Sequence, residues 1–238
     1  MKRSTAWWGA GAAFTILLIG ASLPMRLALD AAGAAETGVS ARSVSGSIWS
    51  ATLHDARLGT LPLGRITARL SPLALFSGRT EWAFARDGGH AGPLSGRLLG
   101  GSNRGAADVN GDVLLGLRIG HIATGRLQLA GVSMRFDHQG RCTQGSGNLR
   151  LALSAPLAGL PLAQGLGGPL SCRNGRLQAT LTSQSGMETL RLHLDHKGGW
   201  KARLLVAQAD DPMMIQGLMA LGFQSAADGY ALAASGQI

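Results

Sequence analysis

The segment His193-Leu194-Asp195-His196 is where this 238-residue chain comes nearest to assembling acid–base or metal chemistry. Imidazole and carboxylate side chains act together as general bases and as zinc ligands. Leucines alternate with polar residues here, which predicts a strand whose successive side chains point to opposite faces. His193 and Asp195 would then share one face, and His196 would lie on the other. A regular strand therefore cannot bring all three to one metal ion, and we predict no metal site.

The remaining polar residues do not assemble an active site either. The motifs GxSxG and HExxH and the P-loop pattern are absent from the sequence. Asp87, Asp108 and Asp112 are expected in glycine-rich turns, where aspartate is common for turn geometry alone. Asp210 and Asp211 are adjacent, and the second is placed to cap a helix. We expect a protein that is not an enzyme, with no catalytic residue and no cofactor.

An uncharged, largely apolar run from Ser4 to Met25 follows the basic pair Lys2 and Arg3. As a helix, these 22 residues would be about 33 Å long, enough to cross the hydrocarbon layer of a bilayer. We therefore predict a transmembrane helix over residues 5–27. The basic residues before it would hold the N-terminus in the cytoplasm, so that the rest of the chain is exported.

A cleavable signal peptide is the alternative interpretation of this run. Its apolar part would be shorter, roughly 7–15 residues, and would end near a small-residue site such as residues 32–35. The length of the run favours a retained anchor. The anchor divides the chain into a cytoplasmic tip of residues 1–4, the transmembrane helix, a linker of residues 28–40 and an exported domain of residues 41–238.

The composition is strongly basic, with 22 basic and 13 acidic residues and a formal net charge of +9 at pH 7. Nucleic-acid binding does not fit this charge, because the arginines are scattered singly and aromatic residues for base stacking are few. A basic surface beside an anionic membrane is the interpretation that the distribution favours.

Both cysteines, Cys142 and Cys172, lie in the expected exported domain. In an oxidising compartment an even number of cysteines favours a disulfide. Closing a loop of about 31 residues would stabilise the fold by roughly 3–4 kcal/mol in the chain-entropy model. A nucleophile or a pair of metal ligands stays open as the alternative, although the sequence has no CxxC spacing to support it.

Short segments that alternate apolar and polar residues dominate the exported domain. Period two with one apolar face is typical of half-buried strands in an antiparallel sheet. The segments are 65–70, 81–85, 127–129, 132–136, 148–153, 176–181, 189–194 and the closing stretch 223–238. Gly131 separates two of them and predicts a bulge. With 36 glycines for turns and bends, the fold predicted is mostly β, a curved antiparallel sheet or half-barrel.

A single short helix is predicted near the C-terminus, over residues 211–222. Asp211 suits the N-cap, Pro212 the first helical position and Gly222 the C-cap. Residues 156–166 are expected to form a short helical turn or a loop. The apolar residues expected on one face of the C-terminal helix are Met214, Leu218 and Leu221.

Three groups of residues carry a resemblance to a known family. The first is residues 46–51, Gly-Ser-Ile-Trp-Ser-Ala, and the second is residues 70–78, Leu-Ser-Pro-Leu-Ala-Leu-Phe-Ser-Gly. The third is C-terminal and comprises residues 172–177, 222–223, 228–232 and Gly236. In their order behind a single span, these segments resemble protein N of the bacterial type II secretion system.

The resemblance implies a non-catalytic accessory component of the machinery that moves folded proteins from the periplasm across the outer membrane. The anchor would lie in the bacterial inner membrane, and the β domain would lie in the periplasm. The expected partners are other secretion components, in the inner-membrane platform or the outer-membrane secretin. No catalytic residue is carried over, because the family offers none.

Three residues are candidates for contacts with such partners. Trp49 would either bind a partner or pack into the core of a first hairpin. Gly9 and Ala13 have the small-xxx-small spacing that permits close approach of two transmembrane helices, although small residues are also ordinary in a span. An exposed sheet edge would offer a further route, because it can add a strand from a partner.

The alternative function is an AsmA-like lipid- or acyl-chain-binding periplasmic half-barrel. Leucines that share one face of the predicted sheet would line its apolar groove, or else they fill a dry core against the C-terminal helix. These leucines are Leu149, Leu151, Leu153, Leu177, Leu181, Leu190, Leu192 and Leu194.

Overall fold

The structure, a computed structural model, describes residue 25 and residues 38–89, 91–101, 104–116, 118–154, 164–207 and 209–237. Apart from residue 25, the predicted transmembrane helix lies outside the described residues, as do Gly9 and Ala13. In the part of the chain that is described, no helix is long and apolar enough to cross a membrane.

Sixteen strands of the described chain form one open antiparallel sheet, which confirms the predicted mostly-β fold. The first eight are β1 (Val39–Ser40), β2 (Ser43–Ser47), β3 (Ser50–Leu58), β4 (Leu61–Leu70), β5 (Thr80–Asp87), β6 (Pro93–Gly100), β7 (Arg104–Leu114) and β8 (Arg118–Ile119). The other eight are β9 (Ile122–Phe136), β10 (Cys142–Leu153), β11 (Leu166–Arg173), β12 (Arg176–Thr182), β13 (Glu188–Leu194), β14 (Gly199–Val206), β15 (Gln224–Ala226) and β16 (Gly229–Gln237).

Nearly every strand pairs with its neighbour in the chain, because short turns connect them. The order across the sheet is β1-β3-β4-β5-β6-β7-β9-β10-β11-β12-β13-β14-β16-β15, with β2 paired to β3 and β8 paired to β9. The Cys142–Cys172 disulfide joins the neighbouring strands β10 and β11, with 5.6 Å between the two Cα atoms. The pairing agrees with the prediction from the even cysteine count.

Gly131 forms the predicted bulge inside the long strand β9. Its φ of 59° lies in the left-handed region, which favours glycine. Its N–H donates a hydrogen bond to Asn110 Oδ1 at 2.7 Å instead of joining the regular ladder. The register between β9 and β10 shifts by one residue at this point, between Ser146 and Asn148.

Strands β6, β7, β11 and β14, and the two-residue strands β1 and β8, lie outside the segments that the sequence pattern predicts. The expectation that Asp87, Asp108 and Asp112 occupy turns is wrong, because Asp87 is the last residue of β5 and the other two lie within β7. Asp108 has a φ of 51°, and the register of β7 with β9 shifts between Ala106 and Val109. Such irregularities, together with glycine and alanine in place of large apolar residues, remove the period-two signal.

Two helices interrupt the described meander, α1 (Pro72–Phe76) and α2 (Pro212–Ala220). In α2 the carboxylate of Asp211 accepts a hydrogen bond from the N–H of Met213 at 2.9 Å, which confirms the predicted N-cap. The predicted C-cap is displaced by one residue: Leu221 caps the helix, and Gly222 follows it with a φ of 92°. Five residues are too few for a helical period, so α1 is not predicted.

The core lies on one face of the sheet and is built from aligned leucines. Leu181, Leu190, Leu204 and Leu232 stand opposite one another on four consecutive strands, and each is buried. Leu218 of α2 packs into the same cluster. Each such side chain contributes roughly 1.5–3 kcal/mol by leaving water.

The sheet curves until two distant parts of it touch. A Cβ at Gly120, in the turn between β8 and β9, would come 2.9 Å from Leu232 Cδ1 on β16. Strand β16 stands six positions beyond β9 in the sheet order. A flat sheet would hold these strands about 29 Å apart, at roughly 4.8 Å per position. Strong curvature therefore brings them together, although no hydrogen-bonded pairing closes the sheet between the described strands.

Candidate functional site

The acid–base cluster at residues 193–196 does not come together in the structure. Asp195 lies in the turn after β13, where its Oδ1 accepts hydrogen bonds from the N–H groups of Lys197 and Gly199 at 2.8 and 2.9 Å. The ring of His196 packs against Gly140 in another turn. No group of three or more potential metal-ligating side chains occurs among the residues that the structure describes. Asp195 is thus a turn residue, and the prediction that the strand continues through Asp195 and His196 is wrong, because β13 ends at Leu194.

Two buried ionisable residues were not singled out by the sequence, and both have structural partners. Glu188 accepts hydrogen bonds from the hydroxyls of Ser183 and Ser185, the second at 2.8 Å. Arg86 donates only to backbone carbonyl groups. Burial lowers the pKa of the Arg86 guanidinium, and the Asp112 carboxylate partly opposes that change. Through these hydrogen bonds, both residues connect strands and turns within the protein.

The two N-terminal segments of the family resemblance meet at one end of the sheet. Ile48 and Trp49 form the two-residue turn between β2 and β3. The register that pairs Ala51 with Ala68 places this turn at the end where β4 stops. Helix α1 begins at the same end, immediately after β4. Residues that lie about twenty positions apart in the sequence therefore lie at the same end of the sheet.

Serines flank α1 and fix its position at this end. The Oγ of Ser71 accepts a hydrogen bond from the N–H of Ala74 at 3.4 Å, and the proline that follows Ser71 occupies the first helical turn. The Oγ of Ser77 donates to the carbonyl oxygen of Ala74 at 2.7 Å. Gly78 follows with a φ of 69°. The motif Ser-Pro-Leu-Ala-Leu-Phe-Ser-Gly is thus a capped helical turn.

Helix α1 turns its large apolar side chains towards solvent. Leu73 is 81% exposed, Phe76 is 90% exposed and Leu75 is 41% exposed, whereas the small Ala74 is buried. Leu73 and Phe76 are three positions apart and so lie on one side of the helix. We call Trp49, Leu73, Leu75 and Phe76 the apolar tip. Contiguous exposed apolar side chains of this kind mark interaction surfaces in soluble domains.

Basic residues stand beside the apolar tip. Arg69 and Arg79, at the ends of the segments that flank α1, are both exposed. The Nε of Arg79 donates a hydrogen bond to Ser77 Oγ at 3.2 Å. An apolar centre with a polar rim is the usual composition of a protein–protein interface.

The candidate residues that the sequence singles out lie in different parts of the fold. Trp49 is half-buried in its turn, at the end of the sheet where α1 begins. The leucines proposed to line a lipid groove pack in the core beside α2, where Leu151, Leu181 and Leu190 are no more than 1% exposed. The exposure of Leu73 and Phe76 has no signal in the sequence, because an apolar residue in a short segment is usually buried.

Comparison with known proteins yields one finding. The model of the family described as type II secretion system (T2SS), protein N, matches residues 37–233, a range that begins before β1 and ends within β16. No curated protein and no solved structure matches the chain.

Proposed function

The chain belongs to the type II secretion system protein N family, and on that premise we propose that it is a non-catalytic component that docks on other secretion subunits through its apolar tip. The family membership makes it a component of protein secretion. The exposed apolar side chains of α1 are the observation that carries the docking step.

The energetics favour a partner at this surface. Transfer of a leucine or phenylalanine side chain from water to an apolar interface contributes roughly 1.5–3 kcal/mol. Leu73 and Phe76 are almost wholly exposed, so nearly all of that free energy is available for binding. Helix α1 is held by its two flanking serines. A partner therefore binds a preformed surface, and little conformational entropy is lost.

The position of the tip suits a partner in the periplasm. Val39, near the start of the described domain, pairs with Leu58 at the opposite end of β3 from the tip. Nine residues of β3 separate the two ends by roughly 26 Å at about 3.3 Å per residue. With residues 5–27 as an inner-membrane anchor, the domain is held near Val39 and extends the tip away from the membrane. Platform or secretin subunits are then the natural partners.

Photo-crosslinking in secreting cells tests this proposal. A photoreactive amino acid is placed at Phe76, and the matched control is Thr60, an exposed residue in the turn at the opposite end of the sheet. We expect crosslinks to other secretion subunits from Phe76 and none from Thr60, with the adducts identified by mass spectrometry. Equal labelling from both positions, or adducts only to phospholipid from Phe76, would contradict docking through the tip.

A further inference from the structure

A second surface lies at the other edge of the sheet, on the face opposite the leucine core. The pairing of β12, β13, β14 and β16 aligns two polar rows across four strands. One row is Thr180, Arg191, Arg203 and Ala233, and the other is Gln178, His193, Lys201 and Ser235. The side chains of Arg191, His193, Lys201 and Arg203 are all exposed.

The positive charges of these side chains oppose one another within the sheet. Arg191 and Arg203 stand directly opposite each other, and like charges in that position destabilise a sheet. Within the described ranges the ion pairs of the chain lie elsewhere, and none includes Arg191, Lys201 or Arg203. The carboxylate nearest along the strand, that of Asp195, is held by backbone N–H groups of its own turn. The cluster is therefore available for an anionic partner.

The cations border a groove because their neighbours on β16 are small. An open groove of about 600 Å³ is lined by Arg191, His193, Lys201, Arg203, Ala233 and Ser235. Alanine and serine on β16 leave the long basic side chains of β14 unobstructed towards the edge of the sheet.

Strand β16 also presents unpaired backbone at this edge. Strand β15 covers it only at residues 229–231. Residues 233–237 pair with β14 on one side and with no described strand on the other, whereas the turn between β8 and β9 packs against Leu232. The open stretch, Ala-Ala-Ser-Gly-Gln, has no proline and no charged residue. Proteins usually protect such an edge with one of these devices, because free N–H and C=O groups pair readily with another chain.

We propose that the free edge of β16 accepts an extended acidic segment of a partner protein as an added strand, with its carboxylates facing Arg203 and Lys201. An added strand would lie about 4.8 Å beyond β16 and about 9.6 Å from β14. Basic side chains on β14 and acidic side chains on the added strand can meet across β16, because Ala233 and Ser235 on β16 are small. Backbone pairing supplies the affinity and alternate side chains the specificity, as in other cases of strand addition.

The site is separate from the apolar tip in residues and in chemistry. The tip offers apolar side chains from α1 and from the turn between β2 and β3. The groove offers basic side chains on β13 and β14 and a backbone edge on β16. The two proposals can therefore fail independently. Substitutions at the tip are expected to leave binding at the β16 edge unchanged.

Binding of a defined peptide to the full chain in detergent tests the proposal. The probe is a fluorescein-labelled peptide of alternating valine and glutamate, about six residues long to match a typical strand. We expect saturable binding by fluorescence anisotropy, and K201E/R203E is expected to weaken it about tenfold or more. The control with the same change of charge is R150E/R173E, at exposed arginines on β10 and β11 that do not line the groove. It should bind almost as well as the unmodified protein.

Three further probes separate strand addition from other binding. The same peptide with glutamine in place of glutamate should bind much more weakly, since the charge is absent. A peptide with alternate backbone amides methylated should also lose binding, because it cannot form the ladder. Equal binding of either peptide, or equal loss in both double variants, would overturn the proposal. Binding of anionic phospholipid vesicles without binding of the acidic peptide would replace the protein partner by a membrane.

Discussion

At the scale of single residues, Arg86 on β5 connects β4 and β7 with the turn between β5 and β6. Its guanidinium donates to the carbonyl oxygens of Gly92 at 2.8 Å, Leu63 at 2.9 Å and Ala91 at 3.1 Å, and to that of Asp112. We expect R86M to destabilise the protein by about 3 kcal/mol, because four partly buried carbonyl groups lose their donor. Urea unfolding followed by circular dichroism measures the difference in free energy of unfolding.

The neighbouring Arg65 provides the matched control for this prediction. It is exposed on β4 and lines the same cleft as Arg86. Its replacement by methionine should change the free energy of unfolding by less than about 0.5 kcal/mol. If R86M and R65M destabilised the protein equally, the bonds of Arg86 would not be the cause.

The side chains of the apolar tip should matter for binding and not for folding. We expect L73S/F76S to leave the melting temperature unchanged, because neither side chain is buried. The same variant should no longer co-purify with other secretion subunits, and it should reduce secretion. Met213 on α2 is also 81% exposed, so M213S is the control for loss of an exposed apolar group. A secretion defect of equal size in M213S would show that the effect of L73S/F76S is not specific to the tip.

At the scale of elements, the pairing of β13 with β14 carries a repulsion that substitution can relieve. Arg203 stands directly opposite Arg191, so R203E converts a like-charge pair into an opposite-charge pair. We expect a gain in stability of about 0.2–1 kcal/mol at low salt, and a smaller gain at high salt because ions screen exposed charges. Urea unfolding midpoints at two ionic strengths measure the effect.

A neutral variant separates the relief of repulsion from the new attraction. R203Q should give a smaller gain with weaker salt dependence. Loss of stability in both variants at low salt would mean that the arginine stem contributes more by packing than its charge removes. Binding and stability should also move in opposite directions, since R203E removes a cation that the β16 edge is proposed to use.

The turn between β9 and β10 responds to acid through Asp137. The N–H groups of Arg141 and Gln139 donate to its carboxylate at 2.9 Å each, and the Nε of Arg141 donates at 3.0 Å. These hydrogen bonds lower the pKa of the Asp137 carboxyl, and the bond from the N–H of Arg141 is the largest cause. The contribution to stability is therefore present above the unfolded pKa of about 3.9 and is lost as the pH falls through the lower folded pKa.

A carbon-13 NMR titration of the carboxylate checks this expectation directly. The midpoint for Asp137 should lie below that of an aspartate in an unfolded peptide. In D137N, hydrogen exchange of the turn amides should already be faster at neutral pH and should change less on acidification. An unshifted midpoint would show that the turn does not hold the carboxylate in solution.

Most elements that the sequence predicts have unbroken alternation of large residues, although β14 also alternates and is not among the predicted segments. Leu190 and Leu192 on β13 give a clear period of two, and Asp211 with Pro212 marks the start of α2. Strand β7 gives no such signal, because its bulge at Asp108 interrupts the period and alanines replace larger residues. Helix α1 is shorter than two turns, so no helical period can form.

The two proposed surfaces depend on information that a sequence pattern does not contain. Residues 46–51 and 70–78 are recognisable as family segments, but their meeting at one end follows from the register of β3 with β4. Arg191 and Arg203 lie in different strands, and only their pairing makes them a cationic cluster. The free edge is likewise a property of sheet order, since β15 covers only the start of β16.

At the scale of the whole molecule, the disulfide links the stability of the domain to its compartment. Cys142 and Cys172 are joined across 30 positions of the sequence. Cross-linking a loop of about that length stabilises a fold by roughly 3–4 kcal/mol, since it restricts the unfolded chain. We expect a reductant to lower the urea midpoint of the full chain, and C142A/C172A to reproduce that lower midpoint and to be insensitive to the reductant.

The oxidation state of the same cysteines tests where the domain resides. Disulfides persist in the periplasm, whereas the cytosol keeps thiols reduced. If residues 5–27 export the domain, rapid acid quenching of cells followed by thiol alkylation should leave Cys142 and Cys172 unlabelled until a reductant is added. The control is a variant with two lysines inserted into the apolar run, which retains the domain in the cytosol and should be labelled at once. Immediate labelling of the unmodified protein would contradict both the exported location and the contribution of the disulfide to stability in the cell.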